Sequence, residues 1–237
     1  MTNKVLYGPQ TKAALENFPF DYHKTLREFI YAIVIIKKAA AAANFQAGKL
    51  TKERSSKIIA ACDEILKGKY NDQFVVSAHH GGAGTSPHMN VNEVVGSLSG
   101  THPNDHVNAS QSTNDVNPSA LRIASVKLTR KLLKSLDHLI SVFDEKSHEF
   151  RSIQKLGRTH FQDAVPTTLG AGFASYRDIL KRDKKRIEEA LIYLYELNLG
   201  ATAIGNSINA PKEYIVNVYK ELRQFTGINE LKPLENL

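Results

Sequence analysis

Along most of this chain apolar residues recur at three- and four-residue spacing, the period of a helix with one buried face. From Leu26 the pattern runs through Phe29, Ile30, Ile33 and Val34 into an alanine run at 39–43, alanine being the best helix former. Residues 52–67 repeat it with Ile58, Ile59, Ala61, Cys62 and Ile65, and Gly68 is a natural stop. Residues 69–119 change texture, being rich in Gly, Asn, His, Ser and Thr. There "HHGGAGTSPHMN" (79–90) reads as a loop broken by its glycines and Pro87, with a short helix expected at 91–98. Asn117 and Pro118 form an N-cap followed by proline at the first helical position, and neither glycine nor proline intervenes up to Phe150. Leu121, Ala124, Leu128, Leu132, Leu136, Leu139 and Phe143 mark one face of that helix, which at 1.5 Å per residue spans roughly 50 Å. "QKLGRTHFQDAVPTT" (154–168) interrupts the helices. Another long helix is expected at 169–199, with Phe173, Tyr176, Leu180, Ile187, Leu191 and Leu194 on one side. Gly200 and Gly205 punctuate it, and Pro211 opens a last helix carrying Ile215, Val218, Leu222 and Phe225.

The expected fold is therefore all-α. A boundary near residue 110 separates a small, mainly helical N-terminal domain (1–110) from a long-helix domain (111–237) that reads as incomplete. Long amphipathic helices need apolar partners on more than one side, and few are visible after residue 117. They are expected to complete a bundle with other copies of the chain.

Composition narrows the class. The 237 residues are 42% hydrophobic and 23% charged, ordinary for a globular protein. Against 24 Asp and Glu stand 31 Lys and Arg, a net +7 that suits an anionic partner. The bases are dispersed along helices and are not interleaved with aromatics, which argues against nucleic acid and for a small anion. The single cysteine, Cys62, excludes an internal disulfide and reads as a buried inert thiol in a reducing compartment. The start, "MTNKVLYGPQ", lacks a signal-peptide core, and the apolar run "FIYAIVII" is too short to span a bilayer. The expectation is a cytoplasmic protein with no membrane partner.

The chemistry is concentrated in three polar connectors, 81–93, 102–115 and 157–168, at the ends of long rods. Rigid rods hold donors in fixed positions, and donors preorganised around a developing negative charge stabilise it more than water does. Other readings compete. A lone histidine such as His160 is more often a core or capping residue. His102, Asp105 and His106 lack the helical pairing of H-E-x-x-H, so a metal is not expected. "GGAGT" lacks the Lys-Ser or Lys-Thr of a phosphate loop. His79 and His80 read as solvated loop residues, and the charges at 181–186 as a solvated helix face.

Taken together and in order, "GGAGTSPHMNVNEV", "HPNDHVNASQSTND", "GRTHFQDAVPTTLG" and "NLGATAIGNSINAP" resemble the aspartase and class II fumarase family, a likeness covering essentially the whole chain. "GGAGTS" with "QSTND" looks more like the aspartate ammonia-lyases within it. The resemblance implies a small N-terminal domain, a long-helix domain assembled as a homotetramer, and active sites where three subunits meet. It implies reversible elimination across C2–C3 of a small dicarboxylate through an aci-carboxylate, without a cofactor. Aspartate gives fumarate and ammonia; the alternatives are malate dehydration and a non-catalytic scaffold. Residue by residue, Thr85 matches the threonine of the glycine loop that contacts a substrate carboxylate. Ser112, Thr113 and Asn114 match the trio that binds the substrate, Thr159 and His160 match a catalytic pair lent by a neighbouring subunit, and His102, Asn104 and Asp105 match a secondary anion site.

The chain departs from the family pattern in three ways. It contains no "GSS-x-MP-x-K-x-N" loop, the segment that supplies the serine base, so by itself it is expected to bind anions weakly and turn over little. The stretch from Val95 to His102 is shorter than in typical relatives. Pro87-His88 stands where a small residue and asparagine are usual, and Asn206-Ser207 where threonine-glycine is usual.

Overall fold

The computed structural model describes residues 4–20 and 23–235. The architecture is all-α with two small pieces of sheet. In chain order the elements are α1 (Pro9–Asn17), α2 (Arg27–Gln46), α3 (Lys52–Leu66), α4 (Thr85–Ser99), α5 (Thr113–Glu149), β1 (Gln154–Thr159), β2 (Gln162–Thr168), α6 (Leu169–Leu191), β3 (Glu196–Leu197), α7 (Lys212–Thr226) and β4 (Lys232–Pro233). Packing groups them into two compact units, Met1–Ala124 with Tyr195–Leu237, and Ser125–Leu194. The division expected near residue 110 is one of texture along the sequence. Packing within the chain groups Tyr195–Leu237 with the first unit.

The first unit is built around α2. From Ile30 to Asn44 this helix is buried on nearly every side, as an all-round apolar sequence demands. It packs on α3, α4 and α7, and Ile33, Ile36, Ile58, Ile65, Tyr214 and Leu222 are among the fully buried side chains. Lys38 ties α2 to two neighbours, reaching Asp63 at 2.6 Å and lying 4.2 Å over the Phe225 ring. Cys62 is buried, and burial pushes its thiol up to about 12, so it is an inert core residue. Glu93 of α4 caps α1 from outside, its carboxylate accepting from Gly8 N, Gln10 N, Thr11 N and Thr11 Oγ1 at 2.6–3.1 Å.

Two helices start earlier than the sequence signals suggest. α4 begins at Thr85, so Thr85–Asn90 are helical although Pro87 lies among them. Proline in a first turn costs little, because the N–H it lacks has no intrahelical partner there. α5 begins at Thr113, with Pro118 inside it. Ser112 is the N-cap: its Oγ accepts from Asn114 N at 3.2 Å, while Asp115 Oδ1 accepts from Ser112 N at 2.9 Å. Pro118 removes the donor that Asn114 O would otherwise receive, and Asn198 Nδ2 supplies one at 3.1 Å.

In the second unit the rest of α5 packs on α6 through Phe143, Phe150, Phe173 and Tyr176, whose rings lie 5.6–5.9 Å apart. Asp144–Arg177 and Asp137–Lys184 ion pairs, each 2.6 Å, flank them. The connector at 154–168 forms an antiparallel hairpin, β1 on β2, with Thr159 opposite Gln162. α6 ends at Leu191, short of the expected 199, and passes through a 3-10 turn at Ile192–Tyr195 into β3. Much of the apolar face of these helices stays uncovered within one chain: Leu128, Leu132, Leu139, Tyr176 and Ile179 are each 39–58% exposed.

Candidate active site

The glycine loop and the start of α5 form one wall. Gly84 sits at φ +85, and a Cβ there would come within 2.1 Å of Asn117 Nδ2, so only glycine fits. Asn117 Nδ2 in turn donates to Ala83 O at 3.0 Å and ties the loop to α5. Thr85, exposed at the first turn of α4, donates its hydroxyl to Gly82 O at 2.8 Å. Beside them Thr113, Asn114, His80, Ala83 and Gly84 line a cavity of about 630 Å³, whose other side is apolar through Leu26, Phe29 and Leu121.

Not all of the expected trio faces this cavity. Thr113 and Asn114 do, but Ser112 lines a neighbouring cavity of about 710 Å³ with Asn108, Gln111 and Thr202. Asn114 Nδ2 donates to Ala203 O at 2.8 Å, which orients the amide. Behind the trio, the buried Asp115 accepts through Oδ2 from Gly200 N and Thr202 N at 3.1 and 3.0 Å. Burial raises its carboxyl above the usual range, and the amides of Ser112, Thr202 and Gly200 pull it back down.

Asn104 and Asp105 lie on a separate short helical turn, Pro103–Val107, and His102 caps its start. His102 Nδ1 accepts from Asp105 N at 3.1 Å and lies 3.0 Å from Asp105 Oδ2. His102 and Asn104 border a third cavity of about 530 Å³, near Tyr7–Gln10. Thr159 and His160 belong to the second unit, at the tip of the β1–β2 hairpin. His160 and Phe161 occupy the two turn positions at φ +48 and +61, the twist of a type I′ turn without the usual glycine. Phe161 is 96% exposed, so the tip presents its side chains outward.

Sequence reasoning missed Lys37. It reads as the end of a greasy run, yet its side chain is wholly buried. The signal was present: Ile33, Val34, Ala40 and Ala41, at three- and four-residue spacing, place Lys37 on a fully apolar face. Its ammonium lies 2.7 Å from His88 Nε2, 2.8 Å from Asn108 Oδ1 and 3.0 Å from Gln111 Oε1. The other ring nitrogen of His88 is 2.8 Å from Thr113 Oγ1. Burial pulls the lysine down to about 7 against the attraction of Asp115 and Cys62. Burial, and next the Lys37 charge, push His88 well below its usual value.

The family model described as lyase matches residues 1–236. An aspartate ammonia-lyase of Bacillus subtilis is 48% identical over 236 residues, covering 94% of this chain and 50% of the relative. A class II fumarate hydratase of Helicobacter pylori is 44% identical over 235 residues, covering 94% of this chain and 51% of the relative. Among solved structures, a fumarate lyase:delta crystallin of Brucella melitensis in a cobalt-bound form superposes with TM-score 0.93 at 41% identity, over 100% of this chain and 54% of that one. The recombinant class II fumarase of Schistosoma mansoni superposes with TM-score 0.92 at 32% identity, over 100% of this chain and 55% of that one. The chain thus spans about half the length of the curated relatives it matches.

Proposed function

The chain belongs to the lyase family that holds the aspartate ammonia-lyases and class II fumarate hydratases, and from that premise we propose that the whole protein interconverts L-aspartate with fumarate and ammonia. The observation that carries this reading is the pair of neutral donors, Thr113 and Asn114, set at the capped start of α5 against the glycine loop that ends in Thr85. Neutral donors suit an intermediate that gains charge. When a base takes the C3 proton, the electron pair moves into the adjacent carboxylate and makes an aci-carboxylate dianion. Its collapse forms the C2–C3 double bond and expels ammonia from C2. Donors held in place act chiefly on that dianion.

In this reading Thr85 helps hold a carboxylate, Ser112 serves the site as the cap that sets Thr113 and Asn114, and Thr159 and His160 reach a neighbouring copy's site from the hairpin tip. His102, Asn104 and Asp105 hold a second anion outside the reaction centre. The base lies on a segment that these residues do not include, and no cofactor is required. A homotetramer in the cytoplasm accounts for the uncovered apolar faces of α5 and α6. Among the described residues no helix is long and apolar enough to cross a membrane.

The test is turnover by the whole protein, read as fumarate absorbance. Aspartate is expected to react and malate to react slowly or not at all. A tenfold preference for malate moves the assignment to fumarate hydratase, a reading favoured by the close Helicobacter relative. If neither is turned over, the protein is a scaffold.

A further inference from the structure

The hydrogen bonds around Lys37 admit one set of directions when its amine is charged. Gln111 cannot be turned over, because its Nε2 donates to Val107 O at 3.1 Å and Ala109 O at 2.9 Å, which leaves Oε1 facing the lysine. Asn108 is held the same way, its Nδ2 donating to Gln111 O at 3.4 Å and its Oδ1 facing Lys37. With His88 Nε2 these make three acceptors for the three protons of one ammonium. An ammonium accepts nothing, so Nε2 is bare and the ring proton sits on Nδ1. That proton goes to Thr113 Oγ1, 2.8 Å away. One lone pair of the threonine is then taken, and its own proton has to point elsewhere. Thr113 is half-buried and faces the 630 Å³ cavity.

We propose that Lys37 and His88 are positioning residues that commit the Thr113 hydroxyl to donate into the cavity, toward a carboxylate of a small dicarboxylate. The ligand class rests on the function proposed above. Lysine, imidazole and hydroxyl all donate in the same sense, so each bond strengthens the next. The family pattern resembled by this sequence has asparagine where His88 stands, so the relay is a feature of this chain. With the amine neutral the sense can reverse: Nε2–H donates to Lys37, Thr113 donates to Nδ1, and the cavity loses its donor. Proton uptake at Lys37 and anion binding at Thr113 therefore favour each other, by reciprocity of linked equilibria. The groups facing Lys37 are His88 from α4, Asn108 and Gln111 from the segment before α5, Cys62 from α3 and Asp115 from α5. Because burial brings the lysine down to about 7, both states are populated near neutrality.

The test uses ¹⁵N NMR of the His88 ring in this protein, with succinate as a non-reacting probe. At pH 6 the expected ring is neutral, with its proton on Nδ1 and Nε2 bare. Succinate affinity is expected to fall as pH rises past 7, by up to about tenfold per pH unit. His88→Gln keeps an acceptor at the Nε2 position for Lys37, and it and Thr113→Val should each weaken binding and flatten that pH dependence, with the double variant no worse than either. A purely structural His88 would leave the pH dependence in place. An Nε2–H or doubly protonated ring at pH 6, or affinity independent of pH in the wild type, overturns the relay while succinate binding itself still supports the function. A wild type with the expected tautomer that fails to bind succinate overturns the ligand and the functional reading together.

Discussion

Gly84→Ala separates two contributions to the glycine loop. The first is backbone: at φ +85 an alanine is in the left-handed region, at a cost of about 1–2 kcal/mol. The second is a collision. The new Cβ meets Asn117 Nδ2 at 2.1 Å, so the amide must move and give up its 3.0 Å bond to Ala83 O. Losing that bond around a largely buried amide adds about 1–3 kcal/mol. Gly100→Ala is the internal control, because it has φ +64 and nothing within 4 Å of an added Cβ, so it carries the backbone cost alone. Urea denaturation followed by far-ultraviolet circular dichroism should place Gly84→Ala about 1–3 kcal/mol below Gly100→Ala. In an Asn117→Ala background the excess should vanish, since the collision has lost its partner. If the two alanine variants agree within about 0.5 kcal/mol, or the excess survives removal of Asn117, the loop is not held to α5 in this way.

Lys37 sets a pH dependence of stability. Its folded value of about 7 lies below its unfolded value, so above pH 7 the unfolded chain holds more protons and stability rises with pH. The rise should reach about 1.4 kcal/mol per pH unit between 7 and 8.5 and be absent in Lys37→Met; a flat wild type contradicts it. Ser207, at φ +58 where the family pattern has glycine, should gain about 0.5–1 kcal/mol as Ser207→Gly, the left-handed strain outweighing glycine's entropy; a lower melting temperature would count against it. In the whole protein Thr113→Ala and His160→Ala should lower kcat by about 10²–10³ with little change in KM, while His102→Asn leaves kcat nearly intact. Equal damage from His102→Asn breaks the division into two anion sites.

Periodicity in the sequence made α2, α3 and α7 legible, because each buries a face decided by its own residues. The start of α5 was harder. Asn117-Pro118 is a strong local signal, and it competes with the capping pair Ser112 and Asp115. Proline within a helix is acceptable here only because Asn198 serves the orphaned Asn114 carbonyl, a contact no local window contains. The β1–β2 hairpin was hidden for another reason: its turn uses His160 and Phe161 where a reader looks for Asn-Gly. Of the site, Thr85, Thr113 and Asn114 were legible as donors beside a glycine loop. Ser112 was legible as a residue but not as a cap, a role that turns it to a different cavity. His88 stood out as a departure, but its meaning depends on Lys37, which lies 51 positions away.

The bond from Asn198 to the Asn114 carbonyl spans 84 positions, and Asp115 reaches Gly200 and Thr202 across a similar gap. On a ribosome adding about 5–20 residues per second, roughly 4–17 s pass between the emergence of those two ends. Until the later segment arrives, the first turn of α5 has a carbonyl without a donor and a buried carboxylate short of two amides. Thr113 and Asn114 therefore take up their final poise only after residue 202 has been made, when α1 to α6 have already emerged. A nascent chain stalled before residue 198 would carry every residue of the donor wall and still lack the wall.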